Sequence, residues 1–179
     1  MITILAGTNR PGSNTRKVAG HVQSIYREME IDASLLDLAD LPMELFEGSS
    51  YAEKPESFQR DFVEPLLQSD GWVVVIPEYN GGFPGVLKYF IDMLPFPESL
   101  DGRPACFIGL SAGQWGAMRP IEQLQQIFAY RNAYLYPERV FLPGIHTVIE
   151  GDRIADSDLV ERLKRQAGGF ASFARSVAG

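Results

Sequence analysis

The sequence predicts one α/β domain, a doubly wound five-stranded parallel sheet with helices on both faces. Two observations carry that expectation. Short apolar runs alternate with longer amphipathic segments through five βα units, and no repeat, linker or low-complexity stretch divides the 179 residues. Trp72-Val73-Val74-Val75-Ile76 gives the strongest strand signal, apolar on both faces as a helix-covered central strand must be.

The elements follow in order. Ile2 to Ala6 reads as a buried strand that ends in the turn Gly7 to Ser13. Thr15 to Glu30 reads as a helix with Val18, Val22, Ile25 and Met29 on one face. Ala33 to Leu38 is the second strand, and Ser57 to Ser69 is helical with Pro65 expected to interrupt or kink it. After the central strand, a helix runs from Pro84, tolerated in a first turn, to about Leu94. Ala105 to Leu110 is the fourth strand, and Ala117 to Tyr130 a helix with Ile121, Leu124 and Phe128 inward. Val140 to Leu142 is the fifth strand, and Asp156 to Val177 the closing helix, with Leu159, Leu163, Phe170 and Val177 in register. The longest connection, Ala39 to Glu56, carries Met43, Leu45, Phe46 and Tyr51, so it either packs on its own domain or forms a dimer interface.

Composition narrows the partners. A formal charge of −7 repels a phosphate backbone, which argues against nucleic acid. The lone cysteine, Cys106, allows no intrachain disulfide and suits a reducing cytoplasm. The first residues lack the basic region of a signal peptide, and no apolar run approaches the roughly 18–20 residues of a membrane span. A cytoplasmic protein is expected.

Open α/β sheets bind ligands beyond the carboxyl ends of their strands. Three loops of unusual composition sit there. Gly7-Thr8-Asn9-Arg10-Pro11-Gly12-Ser13-Asn14-Thr15 gathers hydroxyls, amides and one guanidinium at a helix start, where orphan N–H groups and the helix dipole favour phosphate. A plain N-cap at Ser13 or Asn14 explains part of it but leaves Arg10 unexplained. A P-loop needs lysine where Ser13 stands, and the loop lacks the second glycine of a dinucleotide fingerprint. Asp37 lies where a ribose-binding acid would sit, although such an aspartate is more often a cap. In Pro77-Glu78-Tyr79-Asn80-Gly81-Gly82-Phe83-Pro84-Gly85, glycines let backbone approach a flat ligand, although an ordinary turn needs no more. Ser111-Ala112-Gly113-Gln114-Trp115-Gly116 repeats that logic, with Trp115 either a lid or an interface anchor. His21 and His146 have no neighbours at metal-ligand spacing, Cys106 reads as a small buried hydrophobe, and no nucleophile elbow or His–acid pair stands out. Phosphate and ring contacts without acid–base machinery point to a cofactor that performs the chemistry.

The first loop, together with Pro77-Glu78-Tyr79-Asn80 and Pro84-Gly85-Val86-Leu87-Lys88, resembles the NADPH-dependent FMN reductase family over nearly the whole chain. That resemblance implies a flavodoxin-like sheet of order 2-1-3-4-5. It also implies FMN, with its phosphate held by Thr8, Arg10, Ser13, Asn14 and Thr15. Pro77, Glu78, Tyr79, Asn80 and Gly81 would then line the isoalloxazine, with Ser111 and Gly113 at its other edge. The activity implied is transfer of electrons from NADPH or NADH through the flavin to a small acceptor such as a flavin or quinone, in a homodimer or homotetramer. A flavodoxin-like carrier without a nicotinamide site is the alternative. Thr8, Thr15, Gly82 and Tyr89 depart from the serine, asparagine, serine and asparagine common in the family.

Overall fold

In the computed structural model, which describes residues 1–177, five parallel positions form the sheet in the order second, first, third, fourth, fifth. The strands are β1 (Ile2–Ala6), β2 (Ala33–Asp37), β3 (Gly71–Pro77) and β4 (Pro104–Leu110), with two short strands, β5 (Tyr134–Leu135) and β6 (Val140–Leu142), sharing the last position. Every residue of β1, β3 and β4 is buried, which explains the scarcity of polar side chains in them, Thr3 excepted.

Side-chain alternation divides the core into two layers. Ile2, Ile4, Val73, Val75, Cys106 and Ile108 face α1 (Asn14–Glu28) and the C-terminal helix (Ser157–Val177). Leu5, Trp72, Val74, Ile76 and Phe107 face the opposite helices. These are α2 (residues 56–67), α3 (Gly85–Met93) and α4 (Met118–Tyr130). On α1, Val18, Ala19, Val22, Ile25 and Tyr26 form the buried stripe, whereas Met29 caps the helix and is exposed. Ile121, Leu124 and Phe128 point inward from α4 as expected. In the C-terminal helix the buried register continues through Ala167, Phe170, Ala171 and Ala174, and Val177 is only partly covered.

Pro65 does not break its helix. The segment α2 runs through Glu56–Phe58, a wider π turn over Gln59–Val63, and Glu64–Leu67. Proline lacks an N–H and its ring crowds the carbonyl four residues back; the wider turn absorbs both defects. The long connection after β2 winds into three 3₁₀ turns, Leu38–Asp40, Met43–Phe46 and Gly48–Tyr51. It packs on its own domain. Leu41 and Leu45 are buried, the Tyr89 hydroxyl donates to the Leu45 carbonyl at 2.5 Å, and Phe46 stacks on the Tyr89 ring with centroids 5.2 Å apart.

The split fifth position departs from the single strand expected. Leu135 pairs with Ala105 and Val140 with Ile108, so two extra residues are accommodated opposite β4. Pro137 sits in that break, where no ladder N–H is required. Gln166 repairs the ladder from the C-terminal helix: its buried side-chain amide donates to the Phe107 carbonyl at 3.0 Å and the Glu138 carbonyl at 2.9 Å. One side chain thereby serves two backbone acceptors. Gln166→Leu, although more apolar, should lower unfolding free energy by on the order of 2 kcal/mol, because buried carbonyls left unpaired cost about 1–3 kcal/mol. Urea denaturation checks this; unchanged stability would show that both carbonyls find other partners.

Candidate functional site

The carboxyl ends of β1, β3 and β4 converge on one cavity of about 320 Å³. Gly7 leaves β1 still bonded to β3, its N–H donating to the Val75 carbonyl at 2.9 Å. The following loop therefore crosses the sheet end before α1 begins. Thr8 is fully buried there, its hydroxyl 2.9 Å from the Tyr79 hydroxyl and accepting from the Arg10 N–H at 3.3 Å. The first and second loops are thereby joined.

Ser13 caps α1, its hydroxyl accepting from the Arg16 N–H at 3.2 Å. The N–H groups of Asn14 and Thr15 donate to no acceptor among the described residues, and Arg10 forms no ion pair among them. Arg10, Ser13, Asn14 and Thr15 all border the cavity. A free guanidinium beside unpaired amides at a helix start is a donor set suited to a phosphate dianion. That donor set is the observation that fits this site to a phosphorylated cofactor.

The opposite wall comes from the second and third loops. Pro77 ends β3 paired with Leu110, and the Glu78 N–H donates to the Leu110 carbonyl at 3.1 Å. Tyr79 and Gly82 then close a tight turn through reciprocal backbone hydrogen bonds of 2.9 and 3.0 Å. Asn80 and Gly81, at φ values of 53° and 78°, occupy the two left-handed positions of that turn, for which Asn-Gly is the preferred pair. Ser111 is held by the Leu142 carbonyl and donates its own hydroxyl to the Gly113 carbonyl at 3.0 Å.

Of the residues expected at the site, Arg10, Ser13, Asn14, Thr15, Pro77, Glu78, Tyr79 and Ser111 border the same cavity. Thr8 joins it through Tyr79. Asn80, Gly81 and Gly113 do not border it; they shape the two loops from outside. Ile145 and His146 are cavity residues that sequence reasoning did not place there. Their signal was weak because they follow the last strand, beyond all three loops, and His146 was weighed only as a metal ligand.

Other titratable groups belong elsewhere. Asp37 caps the next turn, accepting from the Ala39 N–H at 3.0 Å and pairing with Arg16 at 3.3 Å. Burial nonetheless holds its carboxyl above the usual range. Cys106 is fully buried, and burial, with Glu138 adding to it, pushes its thiol well up, so it is no nucleophile. The His21 imidazole accepts from the Ile154 N–H at 3.3 Å; burial, then Arg153, lower its pKa. No group of three or more metal-ligating side chains occurs among the described residues, and no described helix is long and apolar enough to cross a membrane.

Comparison with known proteins supplies further findings. The family described as NADPH-dependent FMN reductase matches residues 1–147. A quinone reductase of Escherichia coli (strain K12) is 30% identical over 98% of this chain and 96% of its own. An NAD(P)H-dependent FMN reductase of Pseudomonas aeruginosa is 26% identical over 98% and 95%. Among solved structures, a flavoenzyme NAD(P)H:(acceptor) oxidoreductase from Paracoccus denitrificans superposes with a TM-score of 0.81 at 24% identity, covering 98% of this chain and 97% of that one.

Proposed function

The chain belongs to the NADPH-dependent FMN reductase family, and from that premise we propose that it is an FMN-dependent NAD(P)H oxidoreductase acting on small quinone or flavin acceptors. The observation that carries this reading is the pairing of an unpaired Arg10 and free helix-start amides with a backbone-walled edge at Pro77–Tyr79 and Ser111. Arg10, Ser13, Asn14 and Thr15 hold the FMN phosphate, with Thr8 bracing the loop behind them. Pro77, Glu78 and Tyr79 border one edge of the isoalloxazine, in a loop whose shape Asn80 and Gly81 set. Ser111 approaches the other edge, in a loop that Gly113 ties down.

When bound, FMN supplies the relay between hydride donor and acceptor. The chain binds, orients and screens. His146 and Glu78 both border the cavity but share no hydrogen bond or ion pair among the described residues, so the chain's contribution to rate is positioning. The single cysteine, buried, fits residence in the cytoplasm.

Copies of the chain associate, in this reading, as a homodimer or homotetramer. Support comes from a groove of about 740 Å³ between α3 and α4, whose lining includes Phe83, Ile91, Leu94, Phe96, Ile127 and Tyr130. Phe96 and Tyr130 are 72% and 83% exposed, an unusual state for large rings on one face.

Three measurements test the reading. Arg10→Ala should weaken FMN about 10-fold or more while leaving the fold intact, since a charge-assisted contact is worth about 1.5–3 kcal/mol; unchanged affinity by fluorescence titration removes Arg10 from the site. Light scattering at micromolar concentration should give at least twice the monomer mass of 19.9 kDa, and a monomer would contradict association. The decisive measurement is an initial-rate study with NADPH and a soluble quinone. Donor and acceptor share one cleft, so double-reciprocal lines should be parallel. Intersecting lines with a detectable ternary complex would refute the shared cleft, and absence of turnover without a partner reductase would make the protein a carrier.

A further inference from the structure

Histidine 146 has no role in the reading above, yet the fold brings it to the phosphate end of the cavity with some precision. The pairing of β6 with β4, Leu142 opposite Leu110, carries the chain past the ends of the other strands beside the Ser111 loop. Gly144 then turns in the left-handed region at φ 57°. Two backbone bonds fasten the turn to that loop: Gly144 N–H to the Gly113 carbonyl at 3.1 Å, and Ile145 N–H to the Ser111 carbonyl at 2.9 Å. Ile145 is buried, so the backbone leading into His146 is anchored.

The imidazole lies against the start of α1. Its Nδ1 is 3.4 Å from the side-chain nitrogen of Asn14, across 132 residues of sequence. An amide nitrogen can only donate, so Nδ1 accepts in this contact, and the ring N–H left to donate is that of Nε2. Nε2 has no partner among the described residues. His146 shares the cavity with Arg10, Ser13 and Thr15, the donors assigned to phosphate, and an N–H there complements theirs.

We propose that His146 is a further phosphate-binding residue: its Nε2–H donates to a phosphate oxygen of FMN, with Asn14 fixing the ring and its tautomer. The inference rests on the FMN reading and adds a donor from the segment after β6, beside the helix start. Contact between the phosphate and the segment after β6 would also fasten that segment to the first loop when flavin binds. No bond is made or broken; the claim concerns affinity alone.

Riboflavin, which has the same ring and ribityl chain without the phosphate, isolates the claim. Protein stripped of flavin is titrated with FMN and with riboflavin, following quenching of flavin fluorescence. His146→Ala should raise the FMN dissociation constant about 10-fold, the scale of one hydrogen bond to a charged acceptor, and leave riboflavin unchanged. His146→Gln, which keeps an N–H donor on a side chain of similar reach, should recover most of the loss. Equal losses for both flavins would mean that His146 shapes the cavity without touching phosphate, and unchanged affinities would place the imidazole off the ligand; either overturns the proposal. A wild-type protein that binds neither flavin overturns the FMN reading itself, a result distinct from both.

Discussion

The register between β1 and β3 is the constraint on which the rest of the molecule depends. Ala6 lies opposite Val75, and the next N–H, that of Gly7, still bonds to the Val75 carbonyl. A side chain at Gly7 would put its first carbon 2.9 Å from that same oxygen, so only glycine lets the two backbones stay this close as β1 ends. The close approach fixes the point from which the first loop departs. It brings Thr8 within reach of Tyr79 and starts α1 with its free amides over the sheet end. The two remaining loops are referenced to the same frame, through Glu78 on Leu110 and Ser111 on Leu142.

An acidic protein holding an anion is then a matter of local arrangement. The formal charge of −7 acts at long range and is screened within about 10 Å at moderate ionic strength. At the cavity the nearby groups decide: one unpaired guanidinium, a helix start and several hydroxyls, against the single carboxylate of Glu78. The strands beneath are buried on both faces and give the loops a packed base. Rigid sheet below and polar loops above divide the labour between stability and binding.

The sequence exposes what is locally periodic and hides what is assembled across distance. Trp72 to Ile76, or Ile121 with Leu124 and Phe128, reveal strand and helix because their burial repeats within a few residues. The first loop was legible for a similar reason, since its donors lie within eight positions of one another. Gln166 was not, because its partners belong to β4 and to the break in the fifth position, and a glutamine in an amphipathic helix looks like a surface residue. The π turn before Pro65 was hidden because a proline announces a defect without saying how backbone accommodates it. His146 was hidden by its separation from Asn14. Asn80 and Gly81, placed at the flavin by resemblance, also make the tight turn of their loop, a role that only the backbone angles reveal.

The interrupted last position of the sheet also governs what the molecule can do to its own kind. A sheet margin is a row of open donors and acceptors, and a long one recruits the margin of another chain into a growing ribbon. Here that margin consists of two residues, a detour containing Pro137, and three more, with the Glu138 carbonyl of the detour already claimed by Gln166. A visiting strand would find no stretch along which to zip. The detour thus guards this margin against fibre-like stacking, and leaves the unbroken strand β2 at the opposite margin as the one stretch of sheet backbone open to a visitor among the described residues.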